Sequence, residues 1–103
     1  MKAIKMNPKD NVATAIENIG LGSIVVIISA DGEVVDRVEA KREVPFGHKI
    51  AITNIKSGEN IVKYGETIGR AIRDIERGEY VHIHNIESLR MPLPQYLRRE
   101  MGK

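Results

Sequence analysis

Three histidines and the lysines beside them carry most of the chemical capacity of this chain. They fall in two short segments, Pro45-Phe46-Gly47-His48-Lys49 and Tyr80-Val81-His82-Ile83-His84. Imidazole exchanges protons near neutral pH, and an ammonium group attracts a carboxylate. His48 and Lys49, following a permissive glycine, would present both groups to an anionic substrate. In a strand alternate residues share a face, so Tyr80, His82 and His84 are expected on one side, with Val81 and Ile83 turned to the core. Two imidazoles spaced roughly 6 to 7 Å along a strand face can meet one substrate or share a metal, with His48 the candidate third ligand. Lys63-Tyr64-Gly65-Glu66 sets an ammonium, a phenol and a carboxylate around a second glycine. The alternative for each group is a solvated side chain in a turn. The chain has no phosphate loop, dinucleotide fingerprint or Gly-x-Ser-x-Gly elbow.

The elements that must position these groups read as mainly β with short helices. Asp10 or Asn11 is expected to cap a short helix ending near Ile19, because Val12, Ala15, Ile16 and Ile19 recur at helical spacing. Ser23 to Ile28 is rich in β-branched residues and reads as a buried strand. Asp31-Gly32 signals a hairpin, with Glu33 to Glu39 as the return strand and Val35 and Val38 partly buried. Lys49 to Thr53 alternates, placing Ile50 and Ile52 on one face, and Ile61-Val62 is a short strand. Thr67 to Ile75 fits either a short helix or a bent strand. Tyr80 to Ile86 alternates most clearly. An Ile-x-x-Gly-x-x-[Ile/Val] pattern occurs at Ile19, Ile55 and Ile75. Each copy reads as a glycine turn feeding a strand, which suggests a small barrel-like β domain.

Composition narrows the function classes. The 103 residues allow one domain, and a full enzyme cleft is hard to build from so few. The net charge is +2, but residues 1–87 hold 12 Lys and Arg against 13 Asp and Glu. The basic excess therefore sits in residues 88–103. With a neutral body and only four aromatic residues, Phe46, Tyr64, Tyr80 and Tyr96, the footprint of a nucleic-acid binder is missing. The absence of cysteine excludes disulfides and thiolate sites. No apolar run approaches the roughly 20 residues that span a bilayer, and no signal peptide is recognisable, so a cytoplasmic protein without a membrane partner is expected. Met91-Pro92-Leu93-Pro94 cannot be a central strand, since two prolines lack donors. Residues 1–88 are thus read as the folded domain and 89–103 as a basic arm.

Taken in order, Asp10-Asn11-Val12-Ala13, Val44 to Lys49, Ile61 to Glu66, Ile68-Gly69-Arg70 and Gly78 to Asn85 resemble the N-terminal SAF domain of the altronate and galactarate dehydratase family, over roughly residues 8 to 88. The resemblance implies a β-clip fold and a free-standing small subunit, because family enzymes continue into a much larger catalytic region. It implies dehydration of a sugar acid to a 2-keto-3-deoxy acid, a divalent metal such as iron, and a larger catalytic subunit as partner, docked through residues 89–103. Carried onto the matching positions, it implies catalytic roles for His48, Lys49, His82 and His84. It also implies substrate binding by Lys63, Tyr64, Gly65 and Asn85, with His48, His82 and His84 the candidate metal ligands. A sulfolactate sulfo-lyase small subunit, or an SAF binding module without catalysis, fits the same motifs.

Overall fold

The computed structural model describes residues 1–88, and the expected basic arm 89–103 lies outside the described residues. The strands are β1 (Lys2–Lys5), β2 (Val12–Ala15), β3 (Ile24–Ser29), β4 (Val34–Glu39), β5 (Lys49–Ala51), β6 (Asn60–Lys63), β7 (Glu66–Ala71), β8 (Tyr80–Val81) and β9 (Ile86–Ser88). They build a six-stranded sheet, ordered β4-β3-β1-β2-β5-β8, and a three-stranded sheet, ordered β6-β7-β9. The mainly β expectation holds. The sheets are open rather than closed into a barrel.

Among the described residues there is no helix. Residues 12–15 are a strand, although their apolar spacing fits a helix, because β2 is buried on both faces. Ala13 and Ala15 enter one core and Val12 the other. Asp10 and Asn11 do accept backbone N–H groups, as caps would, but those of Val62, Tyr64 and Gly65 in a distant hairpin and, for Asp10, of Asn7 before it. Thr67 to Ala71 resolves as strand within β7. The β3–β4 hairpin forms as expected at Asp31-Gly32, with the Gly32 N–H donating to Ser29 O at 2.9 Å. Val38 is buried there, whereas Val35 is 49% exposed, contrary to expectation, because it lies beside the register shift opposite Ile27 and Ile28.

The glycine pattern is the frame of the fold, and it has four copies rather than three. Each reads Ala-x-x-x-[Ile/Val]-x-x-Gly-x-x-[Ile/Val], starting at Ala15, Ala40, Ala51 and Ala71. The copies pair reciprocally. Ile19 and Val44 exchange N–H···O bonds of 2.9 Å, the Gly22 N–H donates to Ala40 O at 2.7 Å, and the Gly47 N–H donates to Ala15 O at 2.8 Å. Ile55 and Ile75 exchange bonds of 2.8 and 2.7 Å, while the Gly58 and Gly78 N–H groups donate to Ala71 O and Ala51 O, both at 2.8 Å. The side chain before the central isoleucine often closes the partner turn. Asn18, Asn54 and Asp74 accept the N–H of Phe46, Arg77 and Ser57 at 2.8 to 2.9 Å. The alanines, central aliphatics and final aliphatics of all four copies are at most 2% exposed, so the signature is the core itself. Burying each Ile or Val is worth roughly 1.5–3 kcal/mol.

Each turn holds its glycine at φ of 82° to 96°, the left-handed region a type II turn needs at its third residue. Gly78 has a second constraint, since a Cβ there would strike the Glu39 carbonyl. Gly58 has open space around it. Gly58→Ala should therefore cost about 1–2 kcal/mol, the left-handed penalty alone. Gly78→Ala should cost more, about 3 kcal/mol or above, because backbone must also move. Urea unfolding of the two variants measures the difference. Equal losses would mean that the Gly78–Glu39 approach is not a constraint.

Candidate functional site

The two turn pairs meet where β5 lies against β8, with Lys49 opposite Val81 and Ile50 opposite Tyr80. His48 ends the Gly47 turn, and its backbone is fixed by donating to Pro45 O at 3.0 Å and accepting from Ala15 N at 2.8 Å. Tyr80 follows the Gly78 turn and packs against the first core. The pairing brings the phenol to the imidazole, with the Tyr80 oxygen 2.6 Å from His48 Nδ1.

His82 and His84 arrive by a different route from the one expected. The strand stops at Val81, and residues 82–85 form a turn. Asn85 shapes that turn. It is 2% exposed, accepts the His82 N–H at 2.9 Å, and donates to Tyr80 O at 2.8 Å. Ile83, expected in the core, is 75% exposed as a result. The rings converge nonetheless. His82 stacks on Tyr80 with centroids 5.5 Å apart and planes 9° apart, and it lies 5.1 Å from His48. His84 lies 5.5 Å from Tyr80 on a tilted plane. Tyr80, expected only to share their face, is the hub of the cluster.

Lys49 and Lys63 add positive charge. Burial, and then the charge of Lys63, push the Lys49 ammonium below the ordinary lysine value. Burial, and then His48, Lys49 and His84, hold His82 below the ordinary imidazole value. Every charged neighbour that shifts these two groups is itself a base. The site thus sets ammonium groups near an imidazole whose neutral form burial and like charge favour. That combination suits an anion that must give up a proton.

Lys63 is set by the β6–β7 hairpin, whose tip is held from below by Asp10. This carboxylate is 3% exposed and accepts N–H groups from Gly65 at 2.8 Å and from Tyr64 and Asn7 at 3.1 Å. Asn11 extends the clamp, accepting from Val62 N and donating to Asn60 O, both at 2.8 Å. Tyr64 and Gly65 take φ of 57° and 74°, the geometry of a tight two-residue hairpin turn. Tyr64 is 57% exposed, with Lys63 Nζ 5.1 Å from its ring centroid.

Of the expected site residues, His48, His82 and His84 gather on Tyr80 with Lys49 acting on His82, while Lys63 acts on Lys49 and lies beside the exposed Tyr64. Asn85 and Gly65 do not fit as substrate contacts. The amide of Asn85 is spent on backbone groups inside the fold, and the Gly65 N–H is spent on Asp10. Asp10 has the signal of a functional acid, a buried carboxylate, but its role is to position the hairpin. Among the described residues no three His, Asp or Glu side chains are arranged to hold a metal ion. The expected set of His48, His82 and His84 is not gathered as a ligand shell; His82 stacks on Tyr80, His48 meets it edge-on and His84 lies tilted to it.

Residues 1–89 match the family described as the altronate/galactarate dehydratase SAF domain. The chain is 40% identical over 96 residues to altronate dehydratase of Escherichia coli, which is 93% of this chain and 18% of that protein. It is 36% identical over 78 residues to galactarate dehydratase (L-threo-forming) of the same organism, 76% of this chain and 14% of that protein. It is 33% identical over 75 residues to (2R)-sulfolactate sulfo-lyase subunit alpha of Chromohalobacter salexigens, 73% of this chain and 80% of that subunit. The chain therefore spans less than a fifth of either dehydratase but most of a sulfo-lyase subunit. Among the described residues no helix is long and apolar enough to cross a membrane. By its matched residues and its relatives, the chain belongs to the altronate/galactarate dehydratase SAF-domain family.

Proposed function

We propose that this domain is the small subunit of a sugar-acid dehydratase, and that it supplies carboxylate-anchoring and proton-accepting groups to a larger catalytic subunit. The observation that carries this reading is the convergence of His48 and His82 on Tyr80, whose oxygen lies 2.6 Å from His48 Nδ1, with burial and neighbouring bases holding His82 below the ordinary imidazole value. Likeness to altronate and galactarate dehydratases supplies the substrate class. A β-clip architecture is consistent with the two reciprocal turn pairs, and a cytoplasmic location with such a metabolic role.

In this reading Lys49 and Lys63 hold the carboxylate of the acid. The positive charge there makes the neighbouring C–H more acidic by favouring the enediolate that forms on its loss. His82, neutral before reaction, takes the proton from C2. The hydroxyl on C3 then leaves as water once protonated, and the resulting enol becomes the 2-keto-3-deoxy acid. Tyr80 fixes the orientation of His48, which can return a proton to the leaving group. The divalent metal implied by the family, iron included, has no ligand set among the described residues and is assigned to the larger subunit. Likeness to a sulfo-lyase subunit favours a second reading, with sulfite as the leaving group, because this chain covers 80% of that subunit. An SAF binding module without catalysis would keep the anchoring and lose the elimination.

The test is turnover of altronate, galactarate and sulfolactate by the chain combined with the larger lyase chain of its source. His82→Gln should lower kcat by about a hundredfold or more, the usual loss of a general base. Lys49→Gln should raise KM roughly tenfold or more by removing a charge-assisted bond. Full activity in both variants would remove the cluster from the reaction. Elimination from sulfolactate alone would select the second reading.

His82 also makes a prediction for the free domain. Its folded value is lowered, so the unfolded chain takes up a proton that the folded chain refuses. Stability is full above the unfolded value of about 6.5 and falls as pH drops through the folded one. A histidine-ring NMR titration should place His82 below that unfolded value. Lys49→Gln should move it up, because one of the repelling charges is gone. No movement would mean that Lys49 does not face His82.

A further inference from the structure

The six-stranded sheet is covered unequally on its second face. Its first face sends Ala3, Val25, Ile27 and Val38 into one core. On the second face, β2, β5 and β8 send Val12, Ala51 and Val81 into the other core, shared with Ile61 and Ala71 of the three-stranded sheet. The rest of that face belongs to β1, β3 and β4 and presents Ile4, Ile24, Val26, Ile28 and Val34. None of the five is buried, and Ile24 and Val34 are 54% and 51% exposed. Five β-branched residues on three adjacent strands form an apolar surface of the kind that marks an interface.

Strand register gives this surface a direction and a charge pattern. Val34, Ile28 and Ile4 lie in one cross-strand row that continues through Thr14 to Lys49. A body seated on the apolar half therefore reaches Lys49, which shares this face with Val81, while Tyr80 faces the first core. In the next row Arg37 and Lys2 flank Val26. Neither forms a salt bridge among the described residues, where the pairs are Lys41–Glu76, Arg70–Glu87 and Arg77–Asp36. The complementary surface is apolar with carboxylates opposite Lys2 and Arg37. The size of the relatives supplies such a body, since this chain matches 18% of altronate dehydratase.

We infer that the open half of this sheet face, centred on Ile24, Val26, Ile28 and Val34, is the docking surface for the larger catalytic part of the lyase, through an apolar, carboxylate-bearing surface that extends along the sheet to Lys49. The inference rests on the small-subunit reading above.

The experiment measures association of the full chain with the larger lyase chain of its source, alongside galactarate binding and sedimentation of the chain alone. Ile24→Glu with Val34→Glu should keep the circular dichroism and galactarate binding of the parent and weaken association at least about tenfold. Lys2→Glu with Arg37→Glu is the second variant, free of any change to apolar packing, and should weaken association in a salt-dependent manner. Unchanged association in both variants overturns the inference. So does a parent chain that self-associates through this face, which makes a second copy the occupant. So does a face that becomes accessible only when residues 89–103 are removed, which makes that segment the occupant. A parent chain that binds galactarate but not the larger chain overturns the docking surface alone. A parent that binds neither overturns the small-subunit reading with it.

Discussion

The structure depends on one reciprocal contact made twice: a glycine N–H donating to the alanine carbonyl of a partner turn, with two aliphatic residues exchanging backbone bonds beside it. A small β domain has few buried residues to spend, and an unpaired buried backbone group costs about as much as a lost hydrogen bond. The reciprocal pair satisfies the turn backbone at the place where Ile19, Val44, Ile55 and Ile75 enter the two cores. Alanine is the residue that fits beneath the partner turn, and glycine the one that accepts the turn's left-handed backbone. The middle two copies are contiguous, Ile50 closing one and Ala51 opening the next, so a single strand, β5, belongs to both pairs.

That shared strand is why the site exists where it does. His48 and Lys49 leave the first pair on β5, and Tyr80 leaves the second on β8, directly alongside. The side chains between the two cores alternate strictly, Ile50 to one and Ala51 to the other. This fixes which way each neighbour points. His82 needs one further device, the Asn85 amide, which ends the strand and turns the ring back over Tyr80. Lys63 comes from the second sheet, and its hairpin is held by Asp10 through the Tyr64 and Gly65 N–H groups. Burial first, and the neighbouring bases second, hold Lys49 and His82 below their ordinary values.

Much of this was legible in the residues. The β-branched run before Ser29, the Asp31-Gly32 hairpin and the opposed faces of Ile50 and Ala51 follow from local rules of turn chemistry and alternation. The turn pattern was visible at three isoleucines but not at Val44, where the central residue changes type and Phe46-Gly47-His48 reads as a ligand loop. The alanines carried no signal, because alanine is common everywhere and its meaning here is the partner turn above it. Asp10 and Asn11 read as helix caps because a carboxylate or amide that accepts backbone N–H groups looks the same whether the donor is three residues away or more than fifty. The alternation from Tyr80 to Ile86 gave the right cluster by the wrong path. Only the buried Asn85 decides between strand and turn, and its partners are backbone atoms that sequence does not display.

The central proposal is that Lys49 and the histidines of this chain meet the carboxylate of a sugar acid. The most direct measurement follows the ring signals of His48, His82 and His84 by NMR while galactarate is added to the isolated chain at several pH values. The account predicts a saturable shift centred on these three rings, tighter binding as pH falls from 8 to 6, and a raised His82 titration midpoint in the bound state. Rings that do not respond, or a response centred elsewhere on the surface, would contradict it.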